Sequence, residues 1–200
     1  MEASLLQARE LACWRAERLV FADLSFEVSP GEALLLTGAN GAGKSSLLRL
    51  LAGLIPAAEG ALTWDGEDCF ADRVAHGARL RYLGHQDALK PSMTAAENLE
   101  FFARLEGGAV PAALAALGLS ALADLPVRVL SSGQKRRLAL ARLALSPKKL
   151  WLLDEPSVGL DTASVARLAP LFAAHRAAGG MLLAATHLPL PLPDARELRL

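Results

Sequence analysis

An apolar run leads directly into a glycine-rich segment in the first quarter of the chain, and a leucine-rich segment follows. The run Ala33–Thr37 is typical of a buried strand, and residues 44–52 predict a largely buried helix. Between them, residues 38–45 match the spacing G-x-x-x-x-G-K-[ST] in full. A strand, a tight glycine turn and a helix in this order favour an α/β fold with a mostly parallel sheet.

The chemistry of this glycine-rich segment is phosphate binding. Glycines let main-chain N–H groups turn inward around phosphate oxygens, and the start of the following helix adds positive potential. Lys44 is predicted to reach the β- and γ-phosphates of a nucleotide, and the Ser45 hydroxyl to ligate Mg²⁺. The alternative, a glycine-rich turn that binds nothing, is disfavoured by the flanking strand and helix. The predicted nucleotide-binding residues are Gly38, Ala39, Asn40, Gly41, Ala42, Gly43, Lys44, Ser45 and Ser46.

A second apolar run, residues 150–153, ends in two adjacent carboxylates, Asp154 and Glu155. Ligands bind beyond the carboxyl ends of strands in open α/β sheets, so this pair is expected beside the phosphate-binding segment. Asp154 is predicted to hold the Mg²⁺ shell, and Glu155 to polarise the water that attacks the γ-phosphate. A carboxylate that only caps a neighbouring element is the alternative for an isolated pair.

The remaining segments predict alternating strands and helices. Further strands are expected over residues 10–14, 24–28, 62–64, 81–83, 150–153 and Met181–Ala185. Helices are expected over residues 134–145 and 162–178, the second capped by Asp161 and ended by two glycines. Residues 94–122 are expected to be helical throughout, which marks a helical insertion.

Composition excludes several classes of protein. The 200 residues are 52% apolar and 21% charged, which excludes intrinsic disorder. The net charge of zero argues against a protein that coats nucleic acid, and two distant cysteines argue against a disulfide scaffold or zinc module. The longest uncharged stretch, residues 107–123, is short for a membrane span and is interrupted by glycines and a proline. The N-terminal residues lack the apolar core of a secretory signal, so a cytosolic chain is expected.

Residues 130–134 open a helix whose first turns carry three basic residues, Lys135, Arg136 and Arg137. Positive charges there oppose the helix macrodipole, at about 0.3–1 kcal/mol each when exposed. An anion held at this N-terminus, such as a γ-phosphate, would relieve the conflict. The alternatives are a solvated basic face and a nucleic-acid patch, of which the balanced net charge disfavours the second.

Residues 130–134, Leu-Ser-Ser-Gly-Gln, resemble the LSGGQ signature of ATP-binding cassette (ABC) ATPases, with Ser132 in place of the first glycine. Gln86 is similar to the glutamine of the family's Q-loop, residues 157–161 to its D-loop, and His187 to its switch histidine. With the phosphate-binding segment and the acidic pair, six motifs follow in the family's order over nearly the whole chain.

The resemblance implies a fold and a dimer. The fold is a P-loop NTPase cassette over residues 1–200, with a mostly parallel sheet core and an antiparallel N-terminal β region. A helical subdomain would occupy about residues 90–145. In such proteins two cassettes sandwich two ATP molecules, so Ser131 and Gly133 would bind the partner's ATP.

The resemblance also implies roles for individual residues. The catalytic residues would be Glu155, His187 and Gln86, and the Mg²⁺ ligands would be Ser45, Gln86 and Asp154. Trp14 is the candidate for the aromatic residue that stacks on adenine, with Phe21 next. The cofactors implied are ATP and Mg²⁺.

Local sequence narrows the resemblance to the ATPases of the haem exporter of cytochrome c maturation. The similar segments are residues 82–86, 90–99, 131–143, 179–181 and 185–187. This resemblance implies separate transmembrane subunits, CcmB-like with or without a CcmC-like one, contacted by residues 86–102. It also implies a periplasmic haem chaperone, no nucleic-acid partner, and a peripheral position on the cytoplasmic face of the bacterial inner membrane. The alternatives are an ATPase subunit of a transporter for another small-molecule or lipid cargo, and a soluble cassette that acts on DNA or on the ribosome.

Overall fold

The computed structural model describes residues 5–145 and 147–200. The strands are β1 Leu6–Arg15, β2 Arg18–Val28, β3 Ala33–Thr37, β4 Glu59–Trp64, β5 Glu67–Asp68, β6 Leu80–Leu83, β7 Leu150–Asp154, β8 Met181–Ala185 and β9 Arg196–Arg199. The α-helices are α1 Lys44–Leu51, α2 Arg73–Arg79, α3 Ala95–Glu106, α4 Val110–Ala116, α5 Ser132–Ala141, α6 Thr162–Ala166 and α7 Leu168–Ala177. Short 3₁₀ turns occupy Ser120–Leu122, Val127–Val129 and Arg142–Ala144.

The strands form two sheets of different kinds. A parallel sheet has the order β6-β7-β8-β3-β9, and an antiparallel sheet has the order β2-β1-β4-β5. Every residue of β7 and β8 is buried, as expected of strands covered on both faces. The predicted α/β class, with a mostly parallel core and an antiparallel N-terminal β region, is confirmed.

The two faces of the parallel sheet pack against different layers. Leu34, Leu36, Leu150 and Leu152 share one apolar cluster with α1 and the antiparallel sheet. Alternate residues of the same strands, such as Leu153, share a second cluster with α3, α4, α5 and α7. Because side chains alternate along a strand, α1 and the antiparallel sheet cover one face of the parallel sheet, and α3, α4, α5 and α7 cover the other.

The helical insertion departs from its predicted form. Residues 94–122 are not one helical stretch but α3, α4 and a 3₁₀ turn. Gly107 and Gly108 separate the two helices with φ values of +83° and +103°, conformations in which glycine is favoured. None of the helices in the described residues is long and apolar enough to cross a membrane.

Two predicted helices also need correction. The helix predicted over residues 162–178 divides after Ala166, because Pro170 has no N–H to donate to the Ala166 carbonyl. The helix predicted over residues 134–145 begins earlier, at Ser132, and ends in a 3₁₀ turn after Ala141. The short elements α2 and β9 were not predicted, since both are rich in polar residues and lack an apolar run.

Candidate functional site

The phosphate loop joins β3 to α1 at the carboxyl edge of the parallel sheet. Gly43 precedes α1 with a φ of +104°, and a Cβ there would stand 2.5 Å from Val20 Cγ1. The position therefore requires glycine for both conformation and space. The buried Lys44 side chain donates from Nζ to the carbonyls of Gly38, at 2.7 Å, and Ala39, at 3.0 Å. The ammonium group thus lies within the loop, where phosphate oxygens are expected.

Ser45 and Asp154 meet beside the loop although 109 residues separate them in sequence. Ser45 Oγ donates a hydrogen bond of 2.9 Å to Oδ1 of Asp154, the last residue of β7. Among the described residues, the buried Oδ2 of Asp154 has no hydrogen-bond partner. A hydroxyl and a carboxylate with an unsatisfied oxygen are the hard ligands that Mg²⁺ prefers, so these residues fit the ion.

Glu155 and His187 form a second contact at the same edge of the sheet. His187 Nδ1 lies 3.0 Å from Glu155 Oε2, and the His187 main-chain N–H donates to the same oxygen over 3.4 Å. The His187 side chain is 60% exposed, whereas Glu155 is largely covered and lines the cavity described below. The His187 imidazole therefore faces solvent and orients the Glu155 carboxylate.

The backbone of Glu155 is strained. Its φ of +50° lies in the left-handed region, which side-chain-bearing residues adopt at a cost of about 1–3 kcal/mol. Its N–H donates to the Ala185 carbonyl of β8 over 2.8 Å, which helps to hold this conformation. Strained residues of this kind cluster at functional sites.

A cavity of about 480 Å³ opens beside the phosphate loop. Besides residues of the loop and Glu155, three arginines line it: Arg15, Arg18 and Arg49. Arg15 and Arg18 pair across the turn between β1 and β2. None of the three was predicted from the sequence, because no local pattern separates them from arginines on an ordinary solvated surface.

The structure does not bring Trp14 to this cavity. The side chain of Trp14 is 55% exposed, pairs with Leu19 across the β1–β2 hairpin, and is absent from the lining within the described residues. Its neighbour Arg15 lies there instead, because successive side chains of a strand point to opposite faces. Phe21, the second candidate, packs against the apolar cluster beneath the loop. The adenine-stacking role predicted for Trp14 does not fit this placement.

Three further predicted residues, Gln86, Ser131 and Gly133, are not among the described residues that line the cavity. Gln86 is exposed in the loop after β6. Ser131 and Gly133 stand at the start of α5, where Ser131 Oγ accepts a hydrogen bond from the Gln134 N–H over 3.2 Å. A Cβ at Gly133 would stand 3.1 Å from the Gly159 carbonyl, so the signature packs against the D-loop of its own subunit.

The basic residues at the start of α5 do not form a solvated face. The Arg136 side chain is buried, and Arg137 Nη1 donates to the carbonyls of Leu117, at 3.1 Å, and Gly118, at 3.4 Å. Main-chain carbonyl oxygens therefore accept hydrogen bonds from both guanidinium groups, although the buried Nε of Arg137 has no hydrogen-bond partner among the described residues. These charge-assisted bonds offset the unfavourable position of the two arginines near the positive end of the helix dipole.

Comparison with known proteins agrees with this fold. The chain matches the ABC transporter family over residues 21–158. A solved structure of the ATP-binding subunit of an ABC transporter is similar, with a TM-score of 0.82 and 25% identity over 92% of this chain and 80% of that one. The chain belongs to the ABC transporter family and is an ABC-type ATPase that binds ATP.

Within that family, the chain is similar to proteins of the CcmA type along nearly its whole length. The cytochrome c biogenesis ATP-binding export protein CcmA of Paramagnetospirillum magneticum is 52% identical, covering 100% of this chain and 95% of the relative. The protein of the same name from Rhodospirillum rubrum is also 52% identical, covering 98% of this chain and 86% of the relative.

Proposed function

We propose that this chain is the ATP-hydrolysing subunit of a membrane complex that exports haem, or releases a haem-loaded chaperone, in cytochrome c biogenesis. The observation that carries the proposal is the 52% identity to CcmA export proteins over the whole chain. The geometry of the site separately supports ATP hydrolysis, because the phosphate loop, Asp154 and Glu155 converge at one edge of the sheet.

In the proposed mechanism, the phosphate loop and Lys44 bind the β- and γ-phosphates of ATP. Glu155 accepts a hydrogen bond from the attacking water and polarises it, while His187 holds the carboxylate in place. Ser45 and Asp154 would hold Mg²⁺, which would neutralise charge on the phosphates. Gln86 is proposed as a further ligand, although it is exposed and does not line the cavity in the described chain. The base end of the nucleotide would lie against Arg15 and Val20, which line the cavity where Trp14 does not.

A homodimer of cassettes completes the proposed site. Ser131 and Gly133 do not line the cavity of their own subunit in the described chain, and Ser131 is exposed at the start of α5. We propose that they contact ATP held by a second copy. Shared ATP would close the dimer, because its contacts with both subunits exist only in the closed state. Hydrolysis would remove those contacts.

Exposed apolar residues on the helical insertion form the proposed contact site for a separate transmembrane subunit. Phe101 is 53% exposed and Leu105 is 68% exposed on α3, and Leu125 and Val129 add further exposed apolar surface. Phe101 falls within the segment 86–102 that the resemblance predicts as the membrane contact. A CcmB-like subunit, with or without a CcmC-like one, would place this chain peripherally at the cytoplasmic face of the bacterial inner membrane.

The test separates ATP binding from hydrolysis in the purified chain. Lys44→Ala should lose most of its MgATP affinity, because the phosphates lose the ammonium group inside the loop. Glu155→Gln should bind ATP normally and lose turnover, since the amide cannot polarise water in the same way. Glu67→Gln, an exposed carboxylate in β5, is the matched control and should hydrolyse ATP at the wild-type rate.

The proposed role in cytochrome c biogenesis is tested in cells. A strain whose only copy carries Glu155→Gln should lose covalent c-type cytochromes and retain proteins that bind haem b. Normal cytochrome c levels in that strain would contradict the role in cytochrome c biogenesis. Wild-type hydrolysis by both Lys44→Ala and Glu155→Gln would contradict the assignment of the ATPase site.

A further inference from the structure

The Arg136 guanidinium lies buried between segments that carry different parts of the proposed site. Only 6% of the residue is exposed, and the guanidinium donates hydrogen bonds to five acceptor atoms, its full complement of N–H groups. The acceptors are Gly84 O at 3.2 Å, Asp87 Oδ1 at 3.0 Å, Asp154 O at 2.8 Å, Glu155 O at 2.7 Å and Pro156 O at 3.3 Å.

One set of these bonds holds the main chain around Glu155. The Glu155 N–H is bonded to the Ala185 carbonyl of β8, and the Glu155 carbonyl accepts from Arg136 Nη2. The peptide groups on both sides of this left-handed residue are therefore fixed, one by the neighbouring strand and one by α5. A strained conformation persists only where its surroundings determine it in this way.

The other set holds the loop that contains Gln86. Arg136 Nη1 donates to the Gly84 carbonyl and to the Asp87 carboxylate, which stand on either side of the exposed Gln86. Arg136 itself lies in the second turn of α5, a few residues after Ser131. A rigid, planar guanidinium is suited to keep several segments in fixed relative positions, which a flexible ammonium group is not.

We propose that Arg136 is a positioning residue that links the start of α5 to Glu155 and to the loop of Gln86 in the same subunit. The inference rests on the proposed function, in which Ser131 contacts the partner's ATP. A displacement of α5 on dimer closure then moves the Glu155 main chain and residues 84–87 together. Hydrolysis in one subunit thereby depends on the contact that its own signature makes with the other subunit's nucleotide.

The test replaces Arg136 by lysine in the full chain, purified with any membrane subunit that accompanies it. Because a small misplacement of a reacting group can cost about a hundredfold in rate, Arg136→Lys should lower kcat by about that factor. The KM and Kd for MgATP should stay within about twofold of the wild-type values, since no phosphate contact is removed. The matched control is Arg137→Lys, at the next position, which should hydrolyse ATP normally because its carbonyl partners, Leu117 and Gly118, lie outside the site.

A double variant distinguishes positioning from a general structural effect. If Arg136 acts through Glu155, Arg136→Lys should not lower the residual turnover of Glu155→Gln any further. If Arg136→Lys fails to fold, Asp87→Asn carries the test, because it removes the charged partner of Arg136 at a partly exposed position. Its kcat should fall with an unchanged Kd for MgATP.

The outcomes separate this inference from the proposed function. Wild-type kcat in Arg136→Lys, or in Asp87→Asn where the first variant does not fold, would overturn it. Additive losses in the double variant would overturn it as well. An inactive Lys44→Ala beside a fully active Arg136→Lys would leave the proposed function standing and remove only the positioning role. Hydrolysis that survives Lys44→Ala would instead remove the proposed function itself.

Discussion

Two buried histidines lie on elements away from the phosphate loop, and both are held by main-chain carbonyls. The His175 ring stacks on Trp151 with a centroid distance of 3.7 Å, and its Nε2 lies 3.0 Å from the Met181 carbonyl oxygen. His76 Nε2 lies 2.7 Å from the Leu51 carbonyl oxygen. Burial lowers the pKa of both imidazoles below the ordinary value of 6.5, because it disfavours the charged form. At pH 7 the folded protein therefore holds both imidazoles neutral.

These pKa values predict how stability depends on pH. A histidine whose pKa is lower in the folded than in the unfolded chain binds fewer protons when folded, so stability falls as the pH drops below about 6.5. The fall continues to the lower pKa of the folded protein. His175→Phe, which keeps an aromatic ring beside Trp151, should flatten this dependence, and adding His76→Phe should flatten it further. Urea unfolding between pH 5 and 8 measures the effect, and an unchanged slope in the double variant would contradict it.

At the scale of elements, two helices begin with the same reciprocal cap. Thr94 Oγ1 accepts from the Glu97 N–H over 3.1 Å while Glu97 Oε2 accepts from the Thr94 N–H over 2.7 Å. Ser131 and Gln134 form the equivalent pair at the start of α5. This arrangement satisfies N–H groups that the first turn leaves unpaired. In α5 the capping serine is also the proposed contact for the partner's ATP, whereas Thr94 does not line the cavity beside the phosphate loop in the described chain.

Removing the Thr94 cap should lower the stability of the fold and leave ATP hydrolysis unchanged. Thr94→Ala should destabilise the fold by about 1 kcal/mol, since the Glu97 N–H loses its acceptor. For a chain of this size the melting temperature should fall by about 2–4 °C. The KM for MgATP should not change. Thr162→Ala, an exposed threonine one residue after the Asp161 cap of α6, is the control, and an equal loss there would contradict the role of the Thr94 cap.

In the whole molecule, the antiparallel layer and the helical layer on the two faces of the parallel sheet contribute different functional residues. The antiparallel layer brings Arg15, Arg18 and Val20 to the cavity, and the sheet itself supplies the phosphate loop and Glu155. The helical insertion carries the exposed apolar residues of α3 and leads to α5, whose signature residues do not line that cavity within the described chain. Within the described chain, the cavity and residues 131–133 therefore belong to different segments, as the proposed sandwich dimer needs.

The dimer is tested by a substitution that damages only the partner's site. Glu155→Gln should form a dimer in the presence of MgATP, which light scattering after gel filtration measures. Adding Ser131→Arg should abolish that dimer and leave the ATP affinity of the monomer unchanged, because the arginine would occupy the space of the partner's phosphates. Ser120→Arg, at an exposed serine of the helical insertion, is the matched control and should still dimerise. A dimer that survives Ser131→Arg would contradict the proposed arrangement.

The elements that carry the chemistry were predictable because their signals are local. Strands β3 and β8 have the bounds predicted for them, α1 begins at the predicted Lys44, and Asp161 caps α6 as predicted, with its Oδ1 2.7 Å from the Ser164 N–H. Each signal is an apolar run, a glycine or a capping side chain within a few residues. The break between α3 and α4 was also marked locally, by Gly107 and Gly108, but the apolar residues around it favoured continuous helix.

The phosphate loop, the acidic pair and the alternation of strands and helices could be predicted from the sequence, because backbone preference and side-chain periodicity act over a few residues. Which distant groups meet depends on the tertiary structure. It joined Ser45 to Asp154 across 109 residues, turned Arg15 rather than Trp14 toward the cavity, and buried Arg136 among carbonyls of two other segments. The physical reason is that such contacts depend on strand order and on how layers pack, and no short stretch of sequence contains that information.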